Sequence, residues 1–184
     1  LLFEQTYSRF REDSLVAKIA NNVGEIKLPK DALAMFDVYF KLYNLTGGLF
    51  TPLMGQTLED AGYDKEYSLV SKEKTEEQIK LEDCLEYNFP NLNVKKSVKM
   101  DFGACGKGYI IDIVGELLSE MGVNNFCVDA GGDILYKNTE NKELRVGLED
   151  PEQKDQVIGV CNLVEGAICG SSGNRRKWGR FSHI

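Results

Sequence analysis

Apolar positions recur at helical spacing through the first half of the chain and in short strand-like clusters through the second. A first helix is predicted over roughly residues 1–10. Asp13-Ser14 then offers an N-cap for a short helix to about Ala20, which Asn21-Asn22 ends. Pro29 and Asp31 open a longer helix on which Leu33, Phe36, Phe40 and Tyr43 share a face, and Gly47-Gly48 stops it. Leu49 to Gly62 follows neither period and reads as either a functional loop or a cover for the core. Residues 68–100 are charged and weakly patterned, with a helix expected near 75–82 and strands around 84–88 and 93–100.

A central helix is predicted from about Gly106 to Met121, with Ile110, Ile111, Val114, Leu117, Leu118 and Met121 as one buried stripe. Strands are expected after it at 124–129, 133–137, 143–148, 156–163 and 165–169. Helices before, strands after and one helix between argue for an α+β fold rather than alternating βαβ units. The expected architecture is a single domain over residues 1–184, with a mixed or antiparallel sheet and flanking helices.

Lys107 breaks the pattern. At about 100° per residue it projects into the apolar stripe, and it falls in the first turn, where the helix dipole disfavours a cation. It needs a negative partner. One option is Asp101, as an ion pair across the turn; the other is a ligand phosphate, because free N–H groups at a helix N-terminus make an anion site. Gly103-Ala104-Cys105-Gly106-Lys107 is not a P-loop: only two residues separate its glycines, and Gly108 stands where Ser or Thr is required.

Composition narrows the function more by exclusion than by assignment. The chain is 42% hydrophobic and 28% charged, ordinary for a globular protein. A net charge of −7 argues against nucleic acid as a partner, although not against one nucleotide in a local basic pocket. No apolar run reaches the ~18 residues of a membrane span. The five cysteines form no C-x-x-C pair and indicate neither a zinc site nor a disulfide framework, which favours a cytoplasmic setting. The chain opens on Leu1-Leu2-Phe3 and stops at His183-Ile184, so it reads as a segment of a longer polypeptide, and the absence of a signal peptide or lipoprotein anchor from it proves nothing.

Several residues could carry chemistry. His183 is the one histidine, a group whose ordinary pKa suits general-base work at neutral pH, though a histidine near a chain end is often incidental. Arg175, Arg176, Lys177 and Arg180 form a basic cluster before it, either a solvated loop or a seat for a phosphorylated ligand. Gly170-Ser171-Ser172-Gly173 offers hydroxyls and N–H groups nearby. In Asp129-Ala130-Gly131-Gly132-Asp133 the paired glycines suggest close backbone approach to a strand or a ligand.

Taken in order, these pieces resemble the ApbE family of FAD:protein FMN transferases, whose fold is related to the T-fold. Tyr7 to Ser14 is similar to the family's S-R-F-x-x-x-S, and Thr46 to Pro52 to its T-D/G-G-x-F-D-P loop. Asp101 to Asp112 resembles D-x-G-G-x-x-K-G-y-x-x-D, and Ala130 to Asp133 the A-G-G-D turn. Gly170 to Gly173 is similar to a T-S-G element, and Ser182-His183-Ile184 to the opening of H-I-x-D-P-x-T-G.

The resemblance implies that Asp101 and Lys107 contact FAD, and that Ser8, Arg9, Phe10, Leu49, Phe50 and Thr51 line the flavin site. It also implies Ile184 against the cofactor, the Ala104 carbonyl as a magnesium ligand and His183 as the base. The implied reaction is magnesium-dependent transfer of FMN from FAD to a Ser or Thr hydroxyl of an acceptor protein bearing a D-G-x-S/T-G-A/S-like motif, with release of AMP. FAD hydrolysis to FMN and AMP by water at the same site, or FAD binding without turnover, are the alternatives. Membrane association is expected only through the acceptor or a removed anchor, with an extracytoplasmic lipoprotein as the family's alternative location. Thr51 stands where the family has Asp, Ser171 where it has Thr, and Ala104 where Gly is usual. The resemblance places a flavin-contacting Met-Gly-Thr stretch before the first helix, and the other magnesium ligands, an Asp and a Thr, beyond Ile184.

Overall fold

The structure, a computed structural model, describes residues 2–72, 79–153, 155–172, 177–179 and 181–182. The chain divides into two compact units, 1–106 and 107–184. The fold is α+β, and the strand pairings among the described residues are antiparallel.

The first unit contains α1 (Leu2–Tyr7), α2 (Leu15–Asn21), β1 (Gly24–Lys27), α3 (Ala32–Leu45), α4 (Gly55–Asp60), α5 (Leu81–Cys84), β2 (Leu85–Asn88), β3 (Asn91–Val94) and the start of α6 (Gly103–Glu120). Ser14 caps α2 as expected, its Oγ accepting from Ala17 N at 3.0 Å. The three strands form one sheet in the order β1-β3-β2, in which Leu92 pairs with Ile26 on one side and Tyr87 on the other. Ile19, Met35, Phe36, Tyr39, Leu92, Val94 and Met100 are fully buried at its core. Phe102 is the aromatic centre: its ring meets Tyr7 at 5.5 Å, Phe36 at 5.3 Å and Tyr39 at 5.0 Å, the last edge-on. Asp101, one residue earlier, is therefore held by a neighbour sunk in the core.

The second unit contains the rest of α6, β4 (Phe126–Asp129), β5 (Ile134–Lys137), β6 (Leu144–Glu149), β7 (Val157–Leu163), β8 (Gly166–Ile168), β9 (Lys177–Trp178) and β10 (Phe181–Ser182). Sheet β4-β5-β8 and hairpins β6-β7 and β9-β10 make up its strands. Gly115 lets α6 lie against Leu135 and Phe126, because a Cβ there would collide with the Leu135 side chain.

Several expectations are corrected. On α3 the buried face is Ala32, Met35, Phe36 and Tyr39, whereas Leu33 is exposed. This helix carries apolar residues on two faces, so periodicity alone does not choose between them. On α6 Ile111 is buried as expected, but Leu117, and Met121 just after the helix, are 53% and 70% exposed. α4 lies in the stretch read as irregular, and the weakly patterned strands β1, β9 and β10 were not anticipated. The strand expected over 93–100 ends at Val94; of the helix expected at 75–82, residues 75–78 lie outside the described residues, and α5 begins only at Leu81.

Gly55, the first residue of α4, donates to Lys99 O at 3.1 Å, and an added Cβ would come within 2.8 Å of that oxygen. Gly55→Ala should therefore shift backbone and cost about 1–3 kcal/mol. A urea midpoint equal to that of the parent protein would contradict this close approach.

Candidate functional site

Asp101 is where three distant segments meet. Its Oδ2 accepts from Arg9 Nε at 2.7 Å, its Oδ1 from Gly103 N at 2.8 Å, and its own N–H donates to Pro52 O at 2.8 Å. The bond to Gly103 satisfies one of the orphan donors at the start of α6 and sets a carboxylate at the positive end of the helix dipole. This is why α6 begins one turn earlier than its apolar periodicity predicts.

Arg9 follows α1, and its side chain is only 4% exposed. Besides Asp101, it donates through Nη2 to Tyr63 O at 2.6 Å, and Nη1 faces Glu59 Oε1 at 3.8 Å. The guanidinium lies 4.1 Å from the centre of the Phe10 ring and 5.1 Å from that of Tyr63, and the two rings meet edge to face at 6.1 Å, so they form an aromatic corner against it. Glu59 is also paired with Lys99, which completes an alternating chain of charges: Asp101, Arg9, Glu59, Lys99. Nη1 is buried and makes no hydrogen bond. Neighbouring Ser8 turns inward on the main chain, its Oγ accepting from Phe10 N at 3.3 Å.

The loop after α3 starts from a helix stop of the predicted kind. Gly48 N donates to Tyr43 O at 2.8 Å and Gly47 N to Asn44 O at 3.3 Å, with both glycines at positive φ, the two bonds of a Schellman motif. Thr46 Oγ1 accepts from Phe50 N at 2.9 Å, and the Phe50 ring packs 5.1 Å from that of Tyr39. Leu49 is 85% exposed. Thr51 Oγ1 accepts from Leu53 N at 3.2 Å, so the hydroxyl makes the turn that an Asp carboxylate would otherwise make.

In the second unit, Lys107 Nζ pairs with Asp133 Oδ2 at 2.5 Å. Its partner is thus neither of the two first weighed but the acid of the Ala130–Asp133 turn. That turn has Gly131 and Gly132 at φ 74° and 96°, the positive pair that a type I′ hairpin turn requires, and Ala130 N donates to Asp133 O at 2.9 Å. Because α6 starts at Gly103, Lys107 lies in its second turn, and its side chain is 55% exposed against 11% for Asp133. Cys169, after β8, lies beside Asp133; burial first, and then the Asp133 carboxylate, push its thiol pKa up.

Ala104 is an exposed residue just inside α6, where a carbonyl accepts from the N–H four residues on and keeps one lone pair free. One lone pair is not a magnesium site, and among the described residues no three His, Cys, Asp or Glu are grouped to hold an ion. Cys105 beside it is no ready nucleophile, because burial raises its thiol pKa. His183, Ile184, Arg175, Arg176 and Arg180 lie outside the described residues. Sequence reasoning named Asp133 in the A-G-G-D turn without pairing it with Lys107, and it missed Glu59, Lys99 and the Tyr63 carbonyl. A backbone acceptor such as Tyr63 O leaves no signal.

A model of the ApbE family matches residues 2–184. The FAD:protein FMN transferase of Haemophilus influenzae is 24% identical over 177 residues, covering 85% of this chain and 51% of that protein. The ApbE protein of Thermotoga maritima superposes with a TM-score of 0.80 at 24% identity, over 95% of this chain and 60% of that one. The flavin transferase ApbE of Vibrio cholerae gives a TM-score of 0.77 at 20% identity, over 99% of this chain and 62% of that one. These likenesses establish the fold. The chain spans about half the length of the Haemophilus protein and about three-fifths of the other two.

The contact of Asp133 with Cys169 can be tested in solution. A raised thiol pKa leaves less thiolate at a given pH, so Asp133→Asn, which removes the negative charge, should speed iodoacetamide alkylation of Cys169 at pH about 8. An unchanged rate at this residue, followed by mass spectrometry, would contradict the contact.

Proposed function

The chain belongs to the ApbE family, and on that premise we propose that the protein transfers FMN from FAD to a serine or threonine hydroxyl of an acceptor protein, releasing AMP. The observation that carries this reading is the convergence on Asp101. The S-R-F segment reaches its carboxylate through Arg9, the T-G-G-L-F-T-P loop reaches its N–H through Pro52, and the glycine turn reaches its other oxygen through Gly103. Two motifs remote in sequence thus converge on the acid that opens a third, which supports a site built around it.

In the proposed reaction the acceptor hydroxyl oxygen bonds to the FMN-side phosphorus, the bond from that phosphorus to the AMP oxygen breaks, and His183 takes the hydroxyl proton. A histidine's ordinary pKa of about 6.5 suits a base at neutral pH. Lys107 holds three N–H donors and spends one on Asp133; the remainder, on a half-exposed side chain, would meet diphosphate oxygens and offset their charge. Asp101 keeps lone pairs for a donor of FAD, while Ser8, Phe10, Leu49, Phe50, Thr51 and Ile184 would flank the flavin. Magnesium would add to the charge neutralisation of the diphosphate, with the Ala104 carbonyl as the ligand that the family resemblance names.

The test is to incubate the full-length protein with FAD, magnesium and a peptide carrying D-G-x-S/T-G-A/S. Covalent flavin fluorescence on the peptide is expected. AMP without labelled peptide would make the protein an FAD hydrolase, and tight FAD binding without either product would make it a binding protein. His183→Ala should abolish AMP release while FAD stays bound; unaltered turnover would remove His183 as the base. Lys107→Ala should weaken FAD binding by about 1–3 kcal/mol, and an equal affinity measured by calorimetry would remove its phosphate contact.

A further inference from the structure

We propose that Arg9 is a positioning residue that acts on FAD through Asp101 and does not itself touch the dinucleotide. The inference rests on the flavin transferase reading and reassigns one residue that the family resemblance puts against the flavin. Its ground is the burial of the guanidinium, which leaves only 4% of the side chain exposed. Phe10 at 4.1 Å and Tyr63 at 5.1 Å pack against it as an aromatic corner. Its edges point to Asp101, the Tyr63 carbonyl and Glu59. Nη1, which makes no hydrogen bond, is itself buried, so no edge faces solvent for a ligand to meet.

Asp101 is the open end of the same pair, with 19% of its side chain exposed. Each of its oxygens uses one lone pair, on Arg9 or on Gly103, and keeps another. Its main chain is held by the bond to Pro52 and by the burial of Phe102. The freedom left to Asp101 is rotation of its carboxylate, which the bonds from Arg9 Nε and Gly103 N remove. A ligand donor then meets an acceptor already in place and does not bear the entropy of ordering it. The planar fork of arginine reaches Asp101 and Tyr63 O together; a lysine ammonium, a point charge, does not hold that plane.

A double-mutant cycle on FAD affinity tests this, using the full-length protein. Arg9→Met should weaken FAD binding roughly tenfold, and in an Asp101→Asn background the same change should alter affinity less than about twofold. Full multiplication of the two effects would mean that Arg9 contacts FAD directly and would overturn the proposal. Arg9→Lys, which keeps the charge within its aromatic cover, runs the same cycle should the methionine variant fail to fold. A purely structural Arg9 would lower the folded fraction and the melting temperature while leaving the Kd of the folded protein unchanged, which also overturns it. Absence of FAD binding by the parent protein would overturn the flavin transferase reading itself, a result distinct from additivity in a protein that binds FAD.

Discussion

The bond between Arg9 and Asp101 is the constraint on which the candidate site depends. A guanidinium that is 4% exposed has lost nearly all its hydration, and such a loss is offset only where carboxylates and hydrogen bonds replace the water. Asp101, Glu59 and the Tyr63 carbonyl do this, with two aromatic faces completing the enclosure. Removing one partner of a fully buried pair costs about 3–5 kcal/mol, and the partial exposure of Asp101 puts this pair toward the lower end. The geometry has a reach beyond its own energy. With Asp101 fixed, the start of α6, the loop ending at Pro52 and the turn after α1 share one reference point.

That dependence explains which parts of the site were legible in the sequence. Asp101, Arg9 and the T-G-G-L-F-T-P loop stand out because each carries a marked residue type in a fixed local pattern. What joins them is partly main chain: the Pro52 and Tyr63 carbonyls and the Gly103 N–H. Backbone groups are the same at every position, so no composition or spacing announces their use. The start of α6 was misjudged for this reason, because apolar periodicity registers the packed turns and not the one capped by a carboxylate.

Lys107 shows the opposite case, a correct question with an incomplete set of answers. A cation at that place in the helix needs an anion, and the A-G-G-D turn supplies it from outside the segment first considered. The paired glycines were read as a sign of close backbone approach; they also close the hairpin that brings Asp133 to the lysine. Elsewhere the class of fold followed from the order of the patterns, helices first and strands after. The buried face of α3 did not, because Met35 and Tyr39 are no more hydrophobic in kind than Leu33 and Phe40; burial distinguishes them, with Phe36 and Tyr39 packed on Phe102.

The most direct measurement is a crystal structure of the full-length protein with FAD bound. The account predicts FAD in contact with the Asp101 carboxylate while Arg9 Nε stays bonded to Oδ2 near 2.7 Å and the guanidinium remains packed against Phe10 and Tyr63. FAD bound away from Asp101, or Arg9 swung out of its aromatic cover onto the diphosphate, would contradict it.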